Sequence, residues 1–154
     1  MRVRPATLDD AAECARVHVA SFEAAYGRTR DVVQTQAVWR SAFDIDCAPF
    51  VAEDEGTIVG VLSVGPSRDV SGTGEVYVIY VHPDAWGSGA GQLLIERAHE
   101  VLAERFDEAV LTVLAANPRA RRFYERNGWT LDELRTEPHF GGEPTDVARY
   151  RKRL

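Results

Sequence analysis

The sequence is short of several things, and each shortage narrows what the chain can be. Two cysteines occur in 154 residues, Cys14 and Cys47. They stand alone, without metal-type spacing, so they read as reduced, small buried hydrophobes in a cytoplasmic protein. No apolar stretch approaches the roughly 20 residues of a membrane-spanning helix. The opening MRVRPATLDD also lacks the apolar core of a secretion signal. No membrane partner is therefore expected. Positive charge is in the minority, with 18 Lys and Arg against 24 Asp and Glu and a net charge of −6. That balance disfavours broad binding to nucleic acid or anionic lipid. No Pro/Gly/Ser-rich linker and no internal period is present, so residues 1–154 are expected to form a single domain with a real core. His18, His82, His99 and His139 show no ligand spacing such as H-E-x-x-H, and no metal is expected.

What is present is a regular alternation of patterns. RVRP reads as a short strand. TLDDAAECARVHVASFEAAY reads as a helix: Thr7 is placed to cap it, Asp9 and Asp10 fall in its first turn, and Leu8, Ala11, Ala12, Ala15, Val19 and Phe22 recur near helical spacing. A second helix is predicted from Asp31 to Phe43, beyond Gly27. PFVAEDEGTIVGVLSVGP gives two strands with a turn at Glu53 to Gly56. GEVYVIYVHP is apolar almost throughout, so both its faces need cover and it belongs in the middle of a sheet. GQLLIERAHEVLAERF is an amphipathic helix with Leu93, Leu94, Ala98, Val101 and Leu102 on one face. AVLTVLAAN is a buried strand. NPRARRFYERNGW is a short helix with Asn117 as cap, Pro118 at its first position and Asn127-Gly128 at its end. TLDELRTEPHF and DVARYRKRL are two last strands around Gly141-Gly142. The order β-α-α-β-β-β-α-β-α-β-β describes an α/β fold with a mixed sheet.

Between the apolar strand and the amphipathic helix lies VHPDAWGSGAG, with Gly87, Gly89 and Gly91 alternating with Ser88 and Ala90. A strand, a glycine run and a helix N-terminus together make an anion site, because bare backbone N–H groups and the helix dipole both face the ligand. A P-loop would need Lys and then Ser or Thr after the last glycine, and Gly91 is followed by Gln92-Leu93. The dinucleotide fingerprint spaces its glycines G-x-G-x-x-G in the first βα unit, which fits poorly here.

YVHPDAWGSGAGQLLIERA resembles the coenzyme-A motif of the GNAT superfamily, the acyl-CoA-dependent N-acetyltransferases, whose pattern is Q/R-x-x-G-x-G/A. Trp86 stands where Gln or Arg is usual. AANPRARRFYERNGW resembles the family's second segment, N-x-x-A-x-x-F-Y-x-x-x-G-F, through Asn117, Ala120, Phe123, Tyr124, Gly128 and Trp129. The resemblance implies a GNAT-type mixed, mostly antiparallel sheet of about six to seven strands flanked by about four helices. It implies acetyl-CoA as donor, with its pyrophosphate on the backbone of Gly87, Ser88, Gly89, Ala90, Gly91 and Gln92. Its pantetheine arm would lie on the backbone of Ile79, Tyr80 and Val81, where the central strand splays from its neighbour, and against Asn117. An N–H there would polarise the thioester carbonyl. Trp86 is expected to pack against the loop.

Acetyl transfer to an amine needs a base to free the amine and an acid for the departing thiolate. Glu75, the only charge between Gly74 and Val81, resembles the general-base glutamate of the family's histone-acetylating branch. Tyr77, two residues on, is placed to orient water. Tyr124 occupies the position of the family's general acid, and no covalent enzyme intermediate is required. Arg119, Arg121, Arg122 and Arg126 read mainly as a solvated helix face. By analogy of fold the acceptor, a small amine or a peptide N-terminus, would meet Phe22, Tyr26, Trp39, the Glu75 region and Glu137 to Gly142. Acidic residues there would suit a cationic amine. A non-catalytic acyl-CoA-binding regulatory module is the rival reading, and retention of both Glu75 and Tyr124 speaks against it. Nucleic acid is not expected as a partner. Homodimers are common in the family, although no residue here decides the oligomeric state.

Overall fold

A computed structural model describes residues 1–139 and 143–154, with the side chains of His139 and Glu143 left aside. The elements are β1 (Arg2–Pro5), α1 (Ala11–Tyr26), α2 (Val32–Ser41), β2 (Ala48–Asp54), β3 (Thr57–Pro66), β4 (Gly74–Val81), α3 (Ala90–Ala103), β5 (Glu108–Leu114), α4 (Pro118–Arg126), β6 (Thr130–His139) and β7 (Glu143–Arg153). This is the order read from the sequence. The Gly141-Gly142 turn lies outside the described residues.

Seven strands form one sheet in the order β1-β2-β3-β4-β5-β7-β6. Every pairing is antiparallel except β4 with β5, which α3 joins by a crossover. β4 is therefore central, as its two-faced apolar sequence requires. Val76, Ile79 and Val81 pack on the α3 side with Leu62, Leu94, Ile95, Leu102 and Leu111. Val78 and Tyr80 pack on the other side with Ala11, Ala15, Val17 and Trp39 of the first two helices. Each aliphatic side chain fully buried in these layers contributes about 1.5–3 kcal/mol over its exposed state.

Helix ends depart slightly from the expected ones. Residues Leu8–Asp10 form a tighter turn before α1, and the Asp10 carboxylate accepts from the Thr7 N–H at 2.7 Å. Thr7 is the N-cap of this turn and pairs with Asp10 as a capping box, and Arg4 clamps the same carboxylate at 2.8 Å. Leu8 consequently lies on the surface. Asp31 caps α2 by accepting from Gln34 N–H at 2.8 Å. On α3 the buried face turns toward Ile95 and leaves Leu93 partly exposed. Cys14 is buried, which pushes its thiol up to about 12, whereas Cys47 is only half-buried and both are free. Among the described residues no helix is long and apolar enough to cross a membrane.

Candidate functional site

β4 and β5 pair only over Gly74–Val76 against Ala109–Leu111, after which β5 continues with β7 and β4 continues with β3. The sheet opens there into a cleft of about 850 Å³. The opening follows from two local causes. Tyr77 is an extra residue in the β3–β4 ladder, since Val76 opposes Val64 while Val78 opposes Ser63, and such a bulge bends its strand. Gly74 also lets β4 enter close to α3, where an added Cβ would lie 2.8 Å from Leu102 and 2.9 Å from Phe106.

The cleft exposes one edge of β4. His82 N–H donates to Val59 C=O at 2.8 Å, so backbone groups of even-numbered residues here point toward β3. Those of Ile79 and Val81 point the other way, into the cleft. Trp86 shows this directly: its indole N–H donates to the Val81 carbonyl at 2.9 Å. Tyr80 departs from the expectation of a backbone contact. Its N–H and C=O face Val61 of β3, and its ring stacks on His18 at 4.4 Å in the opposite layer. Burial pushes the Tyr80 phenol up to about 12.

At the mouth, Gly87 and Gly89 have φ of +81° and +93°, a backbone that side chains disfavour, and a Cβ at either would meet nothing within 4 Å. The space beside the loop is open while its conformation needs glycine. Ser88 N–H already donates to Ala85 C=O at 3.2 Å, and Ala90 N–H to Ser88 Oγ at 3.3 Å. The N–H groups of Gly87, Gly89, Gly91 and Gln92 have no acceptor among the described residues. A pyrophosphate fits this cradle, with fewer donors than the six residues expected. Gln92 also ties the loop to α4 through its side chain, donating to Asn127 Oδ1 at 2.9 Å. Trp86 is exposed rather than packed into the loop: the Arg119 guanidinium lies 3.9 Å above its ring. His82 accepts from Asp84 N–H at 3.2 Å and so shapes the turn at Pro83.

Across the cleft stands α4. Tyr124 lines it near Phe123, Trp129 and Tyr150. Burial raises the Tyr124 phenol far above its usual range, and the neighbouring phenols of Tyr80 and Tyr26 add to this. It is a protonated group at any physiological pH. Asn117 has two tasks: its Oδ1 caps α4 by accepting from Ala120 N–H at 3.1 Å, and its Nδ2 donates to the Tyr26 hydroxyl at 3.0 Å. That second bond bridges α1 to α4 over the cleft. Arg119, Arg122 and Arg126 are exposed, as a solvated face requires, and that face also borders the cleft. Arg121 alone turns away, to the Tyr150 hydroxyl at 3.0 Å.

Glu75 is buried at 7 % exposure and lines the same cleft. Its carboxylate is fully engaged. Oε1 accepts from Ser67 Oγ and Arg68 N–H, both at 3.3 Å, and Oε2 accepts from Arg68 Nε at 3.0 Å and from Arg68 Nη2. The Arg68 guanidinium also lies 4.8 Å over the Tyr77 ring, and the Tyr77 hydroxyl donates to Pro66 C=O. The sequence reading missed Arg68, His18 and Arg30, all of which line the cleft. Of the expected acceptor residues, Tyr26 lines it, whereas Phe22 and Trp39 are buried behind the wall. Trp39 donates to His18 Nδ1 at 3.3 Å, and burial followed by the Arg30 charge lowers His18 to about 4. Residues 140–142 lie outside the described set. Among the described residues no group of three or more His, Cys, Asp or Glu side chains is placed to hold a metal ion.

Comparison with known proteins gives the family. The model of the Acetyltransferase (GNAT) family matches residues 11–129. The chain belongs to that family. An uncharacterized N-acetyltransferase of Archaeoglobus fulgidus is 35% identical over 133 residues, covering 80% of this chain and 89% of its own. A mycothiol acetyltransferase of Beutenbergia cavernae is 46% identical over 82 residues, covering 53% of this chain but 28% of its own length. The structure of yncA, a putative acetyltransferase from Salmonella typhimurium with its cofactor acetyl-CoA, shares the fold. It has a TM-score of 0.80 and 21% identity, over 100% of this chain and 94% of that one.

Proposed function

We propose that this GNAT chain moves an acetyl group from acetyl-CoA to a primary amine by direct attack with both substrates bound. The observation that carries the reading is the unpaired edge of β4, set between the glycine cradle and Tyr124. Residues 1–154 act as one catalytic unit in this reading, and the two free thiols suit a reducing, cytoplasmic compartment. The acyl-CoA-bound relative supports the donor.

The donor supplies a thioester. The chain's own groups do the rest. N–H groups of Gly87, Gly89, Gly91 and Gln92 hold the pyrophosphate, with Arg119, Arg122 and Arg126 as neighbouring cations. The N–H and C=O of Ile79 and the N–H of Val81 take the pantetheine arm as a strand takes its neighbour, the Val81 carbonyl being held by Trp86, and one N–H faces the oxygen where negative charge builds. Asn117 positions the start of α4. Glu75, directly or through water, receives the proton of the ammonium. The C–N bond forms as the C–S bond breaks, Tyr124 gives its proton to the sulfur, the second proton of the acylated nitrogen restores the phenol, and Glu75 passes its proton to solvent.

The test is release of free CoA from acetyl-CoA over a panel of amines and peptides. Release that depends on the amine is expected. Binding of acetyl-CoA without release over the whole panel would sink the catalytic reading.

A further inference from the structure

The cleft carries the opposite charge to the protein around it. The chain has a net charge of −6. Yet its cleft is lined by Arg30, Arg68, Arg119, Arg122 and Arg126 and, among the described residues, by a single carboxylate, Glu75. The three arginines of α4 stand beside the glycine loop, where the donor's phosphates account for them. Arg30 and Arg68 are on the other wall, with α1 and the β3–β4 loop. Arg30 lies 4.5 Å over the Phe22 ring, and its charge is felt at His18 and Tyr80. Arg68 holds the Glu75 carboxylate with a side chain that is itself 71% exposed. Turning it gives up the Tyr77 ring contact and the bonds to Glu75, and a second carboxylate replaces those bonds for the arginine.

We propose that the acceptor is a small amine bearing its own carboxylate, an amino acid or close analogue, and that Arg68 binds this carboxylate with Arg30 as the second cation of that wall. The inference rests on the acetyltransferase reading with Glu75 as base. If Glu75 takes the amine's proton, the amine nitrogen lies within one hydrogen bond or one water of it. Arg68 is bonded to the same carboxylate, so its guanidinium lies within a few ångströms of a substituent on the carbon next to the nitrogen. A guanidinium fork matches a carboxylate there. An amine whose further charges are positive offers Arg68 no such partner.

The same exchange prepares the base. Arg68 Nε and Nη2 now occupy Oε2 of Glu75. When they turn to the acceptor's carboxylate, the oxygen that must receive the proton is released. The proton passes from ammonium to Glu75, nitrogen attacks the acyl carbon, the thiolate leaves with the proton of Tyr124, and the second nitrogen proton restores the phenol. An amine without a carboxylate offers Arg68 no other partner and leaves Glu75 engaged. The carboxylate therefore improves kcat as well as KM.

The experiment compares each amino acid with its primary amide and its decarboxylated amine, read by CoA release. Polyamines serve as the polycationic arm. We expect a carboxylate-bearing amine to exceed its amide by about tenfold or more in kcat/KM, and Arg68→Gln to reduce that ratio to about twofold or less. Arg68→Lys restores part of the ratio, and Arg30→Gln lowers it through KM. Amides or polyamines that react as well as the acids, or a ratio unchanged in Arg68→Gln, overturn the inference and leave N-acetyl transfer standing. No CoA release with any amine, although calorimetry shows acetyl-CoA bound, overturns both readings.

Discussion

Tyr124 and Glu75 differ in how ready they are. The phenol faces the cleft already protonated, held so by burial. Tyr124→Phe is expected to lower kcat by about 10²-fold or more while the Kd for acetyl-CoA, by calorimetry, stays within about twofold. An unchanged kcat would remove the acid role. His18 gives a prediction of another kind. Its folded-state value of about 4 lies below the ordinary 6.5, so the unfolded chain binds the proton more readily. Its contribution is full above pH 6.5 and is lost as pH falls toward 4, a differential of about 3 kcal/mol. Urea midpoints should fall across that window in the wild type and fall less in His18→Gln. The outcome that counts against this is an equal fall in both.

At the scale of elements, the strand and helix order was readable because each segment carries a clean period and a chemical boundary. Asn117-Pro118 opens α4 and Asp31 opens α2 where their capping chemistry says they should. The glycine loop was also readable, as glycine spacing and nothing more. The splay of β4 from β5 was not, since the bulge at Tyr77 and the close entry at Gly74 depend on contacts with β3 and α3 that no sequence period carries. The Arg68–Glu75 pair escaped for a similar reason: a loop arginine carries no period, and only the turn Ser67–Thr73 brings it back over β4. The loop itself is testable. Gly87→Ala and Gly89→Ala force an L residue into a left-handed backbone, at about 1–2 kcal/mol each. Both should weaken acetyl-CoA binding about tenfold or more. Gly72→Ala, at φ +77° but away from the cleft lining, should not. Equal losses from all three would mean general destabilisation.

The whole molecule sets an acidic exterior around an arginine-lined cleft. An anionic ligand is repelled at a distance and attracted once inside, and salt screens both effects within about 10 Å at 0.1 M. Inside the cleft the attraction dominates, so the Kd for CoA should rise severalfold between about 0.05 and 0.5 M salt. Dephospho-CoA, with fewer charges, should respond less. A Kd flat with salt for both would show that backbone donors alone hold the phosphates.

The sheet has a seam. Three residues of β4, Gly74–Val76, carry its whole pairing with β5, so β1–β4 and β5–β7 are two plates joined by a short ladder. Tyr26 and Asn117 add one hydrogen bond across the gap. An acyl-pantetheine lying along Ile79 and Val81 would serve as the strand the chain omits, and the donor becomes a structural member as well as a reagent. Beyond the mass-action gain of any ligand, it should slow amide exchange on both sides of the seam, in β4 and β5 together.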